Sequence, residues 1–422
     1  MKKTGTLNLI SVILICLSVL SVESAQENFR ARDLGIPLEG TPGALNAITD
    51  VKGVEVGHKT LIQGEGDLKV GEGPIRTGVT AVLPLGKNNF YPVFAAWFSL
   101  NGNGEMTGTT WIEESGRLEG PIMITNTLSV GMVHHSVIAW GIQRGKGNRE
   151  YDYLASLPVV AETWDGYLND IYGQHVKKEH VFYALNRASS GPVDEGCVGG
   201  GTGMICHGFK GGIGTSSRTA TINSKQYTVG VLVQANYGRM KQLKIAGVPV
   251  GREIAGIWEK EEKSKTYDLN QEPSSNNPIR NILTGVGEWG SNPHVLDKGS
   301  IIIVIATDAP VLPHQLKRLA RRASLGLARN GSVSMNSSGD IFIAFSNANQ
   351  DAGRDKAPFK VTMFTNSQTG QLFAPTIQAT EEAIINALVA AETMTGVNGR
   401  TIRALPHDLV KKILGKYNRL NK

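Results

Sequence analysis

The chain has 422 residues, of which 41% are apolar and 19% charged, and a formal net charge of +6. This composition is typical of a globular protein and excludes a disordered or collagen-like chain. The positive charge is densest over residues 314–322 (HQLKRLARR), opposite an apolar helical stripe and without interleaved aromatic residues. We therefore interpret this segment as a solvent-facing helix surface and assign no nucleic-acid partner.

Residues 1–25 have the pattern of a secretory signal peptide. A basic start at Met1–Lys3 precedes an apolar run over Leu7–Val22, and polar residues follow. An uncleaved anchor helix is the alternative, but the run is shorter than the ~20 residues that span a bilayer. We expect cleavage near Ser24 or Ala25, export to the periplasm or the medium, and no membrane attachment of the mature chain.

Short β-branched segments alternate with glycine-rich turns between about residues 34 and 260, a pattern of strands interrupted by helices. This alternation favours a layered α/β protein. The predicted strands lie within 53–62, 77–86, 91–100, 120–126 and 219–238, and the predicted helices span Val130–Gln143 and Lys178–Ala188.

Residues 259–298 are polar and punctuated by proline and asparagine, and they predict a linker. Order resumes after Gly299. The sequence predicts a strand over Ile301–Thr307, an amphipathic helix that ends at Asn330–Gly331, strands over 340–348 and 358–365, and a helix from Thr380 to Gly396.

Several common catalytic and cofactor signatures are missing from the sequence: His-Glu-x-x-His, Cys-x-x-Cys and Gly-x-Ser-x-Gly. The glycine-rich segment 196–218 is not a Walker loop, and tight turns explain its glycines as well as a phosphate would. We interpret His134–His135 as structural, and Cys197 and Cys206 as buried free thiols. The sequence therefore calls for no metal and no organic cofactor.

Gly299-Ser300 directly precedes the apolar run Ile301–Ala306. If the bond between these two residues were cut, Ser300 would gain an α-amine with a pKa near ~8, beside its own hydroxyl. A nucleophile activated by its own terminal amine is an established arrangement. Glycine before the serine leaves room for the hydroxyl to attack the preceding carbonyl. A Gly-Ser pair on its own is usually only a turn.

The chain as a whole resembles the L-aminopeptidase/D-esterase and β-peptidyl aminopeptidase family. The resemblance runs in order through most of the mature chain. It rests on segments such as RARDLGIPLEGTPGALNAITDVKGVEVGH, GPIMITNTLSVG, SSGPVDEGCVGGGTGM, VLVQANYGR and NSSGDIFIAFSNAN. It implies a self-cleaving N-terminal-serine hydrolase with a four-layer α/β/β/α sandwich, similar to Ntn hydrolases but differently connected. It also implies a homotetramer of α/β heterodimers.

The resemblance assigns roles to individual residues. Gly299-Ser300 is implied to be the self-cleaved bond, which divides one composite domain into an α chain (26–299) and a β chain (300–422). Ser300 is then the nucleophile, Ser338 and Asp340 assist it with proton transfer, and Asn236 donates to the oxyanion. By itself, NSSGD would be interpreted as a polar turn and Asn236 as a turn residue.

Two further residues are implied to bind substrate. Glu162 matches the acid that recognises the free amine of the substrate. Trp164 stands where some family members have a tyrosine, and an indole donates a hydrogen bond but does not accept one. The linker 259–298 is long for the family, so it is either excised or disordered after cleavage, or it packs over the entrance of the site and narrows the substrate range.

The resulting hypothesis is an exported aminopeptidase that acts on small peptides, amides or esters through an acyl-enzyme on Ser300. Substrates with L-α-, D- and β-amino residues all remain open, because they would share this nucleophile. One alternative is an acyltransferase of the ornithine acetyltransferase type, which normally uses threonine. Another is an exported binding protein that keeps the scaffold and stays uncut.

Overall fold

Two β-sheets stack between layers of helices in the computed structural model, which describes residues 29–89, 91–145, 157–265, 299–350 and 358–421. The strands are β1 (Glu55–Gln63), β2 (Ile75–Leu83), β3 (Val93–Gly102), β4 (Arg117–Leu118), β5 (Ile122–Asn126), β6 (Val159–Thr163), β7 (Ile205–Cys206), β8 (Phe209–Lys210), β9 (Gly212–Ile222), β10 (Lys225–Asn236), β11 (Ser300–Thr307), β12 (Gly339–Ser346), β13 (Met394–Thr395) and β14 (Thr401–Ile402). The helices are α1 (Thr109–Ser115), α2 (Val130–Gly145), α3 (Lys178–Arg187), α4 (Val250–Lys265), α5 (Pro313–Arg329), α6 (Asn366–Gly370), α7 (Phe373–Val389) and α8 (His407–Lys416).

The layers follow the predicted α/β/β/α order. One sheet has the strand order β1-β2-β5-β6 and the other β4-β3-β12-β11-β10-β9. Apolar residues of both sheets form a shared core between them. Helices α2 and α3 cover the outer face of the first sheet, and α5 and α7 cover the outer face of the second. The predicted fold class is confirmed.

Strand β11 lies at the centre of the second sheet. It pairs antiparallel with β10 on one side and parallel with β12 on the other. All eight of its residues are buried, which explains its unbroken apolar sequence. Ile301 and Ile303 face the helices, whereas Ile302 and Val304 face the other sheet. The predicted strand over 301–307 is confirmed and begins at Ser300.

Helix α5 confirms the amphipathic segment, with Pro313 in its first turn, where no N–H is required. Its apolar side packs on the second sheet. The other strands and helices predicted before residue 190 are confirmed within three residues at each end. The segment 219–238 instead contains the end of β9, a turn at Asn223–Ser224 and all of β10, and β9 begins earlier than predicted, at Gly212.

The predicted strand over 358–365 is wrong. Within the described part of the chain, both edges of β12 are already occupied, by β3 and by β11, so this segment has no free strand edge beside it. Thr362 instead bonds the side chain of Asn349, and Phe364 N–H donates to Pro310 O (2.9 Å).

The last long helix is also misplaced in the prediction. It runs over Phe373–Val389 instead of Thr380–Gly396. Pro375 lies in its first turn, where a missing N–H is tolerated. After Val389 the chain turns, and Met394–Thr395 pairs with Thr401–Ile402 as a hairpin.

The predicted linker begins too early, because helix α4 continues to Lys265. Its first half is fixed by buried apolar residues that include Ile254 and Trp258, and the Glu/Lys run that follows favours helix. Residues 266–298 and the predicted signal peptide 1–25 lie outside the described residues. Among the described helices, none is both long enough and apolar enough to cross a membrane.

Candidate active site

Three neighbouring strands of the second sheet bring Ser300, Asn236 and Gly339 side by side. Asn236, at the end of β10, is opposite Ser300, at the start of β11. Ser300 in turn is opposite Gly339, at the start of β12. The sheet topology thus joins residues that are widely separated in sequence at one end of the sheet.

The alternation of side chains along a strand divides these residues between the two faces of the sheet. Ser300 shares the face of Ile302, and Asn236 that of Leu232, so both point toward the first sheet. Asp340 shares the face of Phe342, which points toward the helices. Ser300 is buried, with a relative exposure of 6%.

The main-chain N–H of Gly339 lies between the hydroxyl of Ser300 and the carbonyl before it. It donates to Ser300 Oγ (3.2 Å) and to Gly299 O (3.3 Å). A Cβ on Gly339 would lie 2.5 Å from Asn103 O, so this close approach requires glycine. Because the donor contacts both the hydroxyl and the Gly299 oxygen, it can stabilise negative charge that develops there.

Ser338 and Asp340 flank this glycine and bond each other. Ser338 Oγ donates to Asp340 Oδ1 (2.6 Å). Burial raises the pKa of the Asp340 carboxyl, and the Ser338 hydroxyl opposes that rise. Asp340 Oδ2 is buried and has no hydrogen-bond partner within the described residues. The side-chain amide of Asn103 holds the preceding turn through Ser337 O (2.7 Å).

The carboxamide of Asn236 is fixed at both ends. Its Oδ1 accepts from Ile205 N–H (2.8 Å), and its Nδ2 donates to Trp164 O (3.0 Å). An amide nitrogen carries two hydrogens, so a second N–H remains on the side chain. This N–H is the one that can serve an oxyanion.

Glu162 lies near the end of β6 in the first sheet and is 4% exposed. Thr127 Oγ1 donates to its Oε2, and Glu105 N–H donates to its Oε1 (3.1 Å). Burial is the main cause of a raised pKa for this carboxyl. A Cβ built on Gly104 would lie 3.2 Å from Glu162 Oε1 and 3.2 Å from Gly339 Cα. The carboxylate therefore lies beside the turn that contacts Ser300.

Trp164 reaches the site through its backbone. Its carbonyl holds Asn236, while its ring packs over Gly166, where a Cβ would lie 2.7 Å from Cζ2. Asp165 next to it is fully buried, and burial raises the pKa of its carboxyl to about 7. The structure thus brings Ser300, Ser338, Asp340, Asn236, Glu162 and Trp164 to one region, where Trp164 contributes a carbonyl that sequence reasoning did not predict.

Comparison with known proteins identifies the family. The model of peptidase family S58 matches residues 46–402. A beta-peptidyl aminopeptidase of Sphingosinicella microcystinivorans is 51% identical over 95% of this chain and 96% of its own. That of Sphingosinicella xenopeptidilytica is 46% identical over 97% and 96%. The chain belongs to peptidase family S58.

A solved structure agrees with this family. The L-aminopeptidase D-Ala-esterase/amidase of Ochrobactrum anthropi is described as a variant of the Ntn hydrolase fold. It has a TM-score of 0.79 and 44% identity, over 93% of this chain and 99% of its own. The S58 protein described here is accordingly a hydrolase of the N-terminal-nucleophile serine aminopeptidase type. Family membership favours this hypothesis over both the acyltransferase and the binding protein.

The glycine-rich loop of the S58 protein uses its N–H groups internally. Gly199 N–H donates to Thr60 Oγ1 (2.9 Å) and Gly200 N–H to Thr80 Oγ1 (3.1 Å). Gly201 N–H donates to Val198 O (2.9 Å). Because these donors are engaged, they form no phosphate cradle.

His134 and His135 lie on α2, on the outer side of the first sheet, and so away from the face toward which Ser300 points. Throughout the described ranges, no group of three or more His, Cys, Asp or Glu side chains could hold a metal ion. Cys206 is buried, Cys197 is half-buried, and both are free thiols. Burial raises the pKa of Cys206 to about 12.

Sequence reasoning missed the groups that support the site. They are the N–H of Gly339, the N–H of Ile205 and the hydroxyl of Thr127. Thr127 and Gly339 both lie inside segments that carry the family resemblance. Main-chain donors, however, leave no residue-type signal, because every non-proline residue has one.

Proposed function

We propose that the S58 protein cuts its own Gly299-Ser300 bond and then uses Ser300 to remove amino-terminal residues from peptides. The observation that carries this proposal is the Gly339 N–H, which contacts both Ser300 Oγ and the Gly299 carbonyl. A hydroxyl next to a polarised carbonyl is the arrangement that an N-to-O acyl shift requires.

In the first step, Ser300 Oγ bonds to the Gly299 carbonyl carbon and the C–N bond breaks. The Ser300 nitrogen takes up the proton that the hydroxyl loses and becomes an amine. Water then hydrolyses the Gly299 ester, which frees the hydroxyl and leaves a Gly299 carboxylate. The products are an α chain (26–299) and a β chain (300–422).

The same serine then acts on substrate. Its α-amine accepts the hydroxyl proton, Ser300 Oγ attacks the substrate carbonyl, and the leaving amine takes the proton. The free N–H of Asn236 stabilises the oxyanion, and water hydrolyses the acyl-enzyme. Ser338 and Asp340 hold the α-ammonium and pass protons.

Glu162 binds the ammonium of the substrate. Two donors orient its buried carboxylate. The carboxylate lies beside Gly339, whose N–H contacts the nucleophile Ser300. The distance between amine and carbonyl in the substrate must match this arrangement.

The relatives at 51% and 46% identity are called beta-peptidyl aminopeptidases, which supports β-amino residues as the primary substrates. The Ochrobactrum structure is called an L-aminopeptidase D-Ala-esterase/amidase, which supports L-amino-terminal peptides and D-alanyl esters or amides as the second class. Kinetics on matched β-, L-α- and D-α-amino p-nitroanilides separate these classes.

We further propose that the protein is exported with loss of residues 1–25 and assembles as a homotetramer of α/β heterodimers. The basic and apolar pattern of the first residues supports export. Family resemblance supports the tetramer, and light scattering on the purified protein tests it.

Intact masses under denaturing conditions, with amino-terminal sequencing, test self-cleavage. We expect two chains, one that begins near Gln26 and one that begins Ser-Ile-Ile-Ile-Val. Ser300→Ala should remain uncut and lose all hydrolysis. Ser324→Ala, on the surface of α5, is the matched control and should be cut and active. A Ser300→Ala protein that is cut and active would contradict the proposal.

A further inference from the structure

Lys210 is buried close behind Asn236. The residue is 0% exposed. Its Nζ donates to Met204 O (2.8 Å), Gly211 O (2.8 Å) and Gly201 O (3.4 Å). An ammonium has three N–H donors, whereas a neutral amine has two and a lone pair. Burial lowers the pKa of Lys210, yet three carbonyl acceptors match only the ionised form.

One of these carbonyls belongs to the peptide unit that supports Asn236. Met204 C=O and Ile205 N–H are the two ends of a single planar amide. Lys210 Nζ is 2.8 Å from the oxygen end, and the nitrogen end donates to Asn236 Oδ1 (2.8 Å). The Asn236 carboxamide is a second planar amide, whose remaining N–H is the oxyanion donor. The ammonium and the oxyanion are thus joined through two amides in series.

A cation at the oxygen of an amide draws electron density from its nitrogen and strengthens the N–H as a donor. Chains of hydrogen bonds pass this polarisation along, and a low-dielectric interior screens it little. We propose that Lys210 is a positioning residue that orients and polarises Asn236 as the oxyanion donor. This inference rests on the proposed function of Asn236.

A purely structural role makes a different prediction. If Lys210 only stabilises the glycine-rich loop through its hydrogen bonds, removing its side chain should lower activity by the same factor whatever residue is present at position 236. If it acts through Asn236, its loss should matter only while Asn236 is present. A double-mutant cycle separates the two roles.

The cycle combines Lys210→Met and Asn236→Ala. So that every variant gains the same amino terminus, the residues just before Ser300 are replaced by the recognition sequence of a protease that cleaves before serine. Turnover of the best p-nitroanilide is then measured at one pH. We expect Lys210→Met to lower kcat by about 10- to 100-fold with KM nearly unchanged, because an oxyanion donor is worth about 10² to 10³ in kcat.

In the Asn236→Ala background, the same Lys210→Met change should lower kcat by less than about 3-fold. If the kcat losses of Lys210→Met and Asn236→Ala multiply in the double variant, the inference is overturned. It is also overturned if Lys210→Met alone leaves kcat unchanged. Lys87→Met is the matched control, since Lys87 Nζ also bonds a main-chain carbonyl, Ala188 O (2.8 Å), and has no contact with Asn236. Lys210→Gln, which keeps a donor without charge, replaces Lys210→Met if that protein does not fold.

The outcomes also separate this inference from the proposed function. If Ser300→Ala still hydrolyses substrate, the proposed function fails. If Asn236→Ala keeps the wild-type kcat, its oxyanion role and the role of Lys210 both fail, while Ser300 as nucleophile stands. If Asn236→Ala is slow and the two losses multiply, only the inference about Lys210 fails.

Discussion

Glu162 is subject to opposing influences on its pKa. Burial raises it most, the Thr127 hydroxyl and the Glu105 N–H lower it, and the Glu105 carboxylate raises it again. Only the ionised carboxylate can bind a substrate ammonium. The value of kcat/KM should therefore fall as the pH drops through this pKa, which kcat/KM reports for the free enzyme.

We call the fall of kcat/KM at low pH the acid limb of the profile. Two substitutions next to Glu162 should shift this acid limb in opposite directions. Thr127→Val removes a donor that favours the ionised form, so the limb should shift to higher pH by about one unit. Glu105→Gln removes a like charge that is exposed and screened, so the limb should shift to lower pH by about 0.3 unit. Profiles of kcat/KM against pH check both. A limb that stays fixed in Thr127→Val would remove Glu162 from amine binding.

At the residue scale, the sequence was most informative about side chains with distinctive chemistry. Ser300, Asn236, Asp340 and Glu162 could be named through the family resemblance, and the fold brings them to one region. The N–H of Gly339 could not be assigned, because its position depends on the register between β11 and β12. The carbonyl of Trp164 could not be assigned either, because every residue has a main-chain carbonyl and only the fold places this one against Asn236.

At the element scale, helix α7 anchors the amino-terminal segment through one buried carboxylate. Glu382 is 0% exposed and accepts from Arg218 Nη2 (2.6 Å) and Arg32 Nη2 (2.8 Å). Burial raises the pKa of Glu382, but the two arginines outweigh burial and hold it below its usual value. The helix therefore joins residues near both ends of the described chain.

Neutralising this carboxylate should destabilise the fold strongly. Glu382→Gln leaves two guanidinium groups without their partner, and we expect a loss of about 3–5 kcal/mol in the free energy of unfolding. The adjacent Glu381→Gln is the control, since Glu381 pairs with the exposed Arg329, and it should cost less than about 1 kcal/mol. Urea unfolding in the uncut Ser300→Ala background measures both. Equal losses of unfolding free energy in the two variants would contradict the assignment of Glu382 as the buried partner of both arginines.

Local pattern predicted most elements, and its failures have physical causes. Residues 358–365 alternate like a strand, but pairing needs a free neighbour, and the strand order of the sheet is a property of the whole fold. The start of α7 was placed too late because Thr380 followed by Glu381 and Glu382 resembles a helix start, whereas the helix already begins at Phe373 and accepts Pro375 in its first turn. Buried strands such as β11 were predicted well because burial on both faces restricts composition.

At the scale of the whole molecule, the proposed cut divides one sheet between two chains. Strands β11 and β12 come after Ser300, yet they lie between β10 and β3, which come before it. The apolar residues of β11 also belong to two of the hydrophobic cores, the one between the sheets and the one beneath α5 and α7. Separating the chains would break both strand pairings and expose both cores.

We therefore expect the cut protein to remain one particle. Native mass spectrometry and gel filtration should show both chains together at the size of the uncut Ser300→Ala protein. Denaturant should be needed to release them. Dissociation of the smaller chain in native buffer would rule out the interleaved sheet as the cause of association.

The start of β11 at Ser300 also restricts how such a protein can evolve in length. Because alternate residues of a strand face opposite ways, inserting or deleting one residue within Ile301–Thr307 would shift either the core or the hydroxyl to the wrong face of the sheet. Lengthening before Gly299 has no such effect. We expect natural variation in length to accumulate ahead of the cut, while the seven residues after Ser300 keep a fixed count.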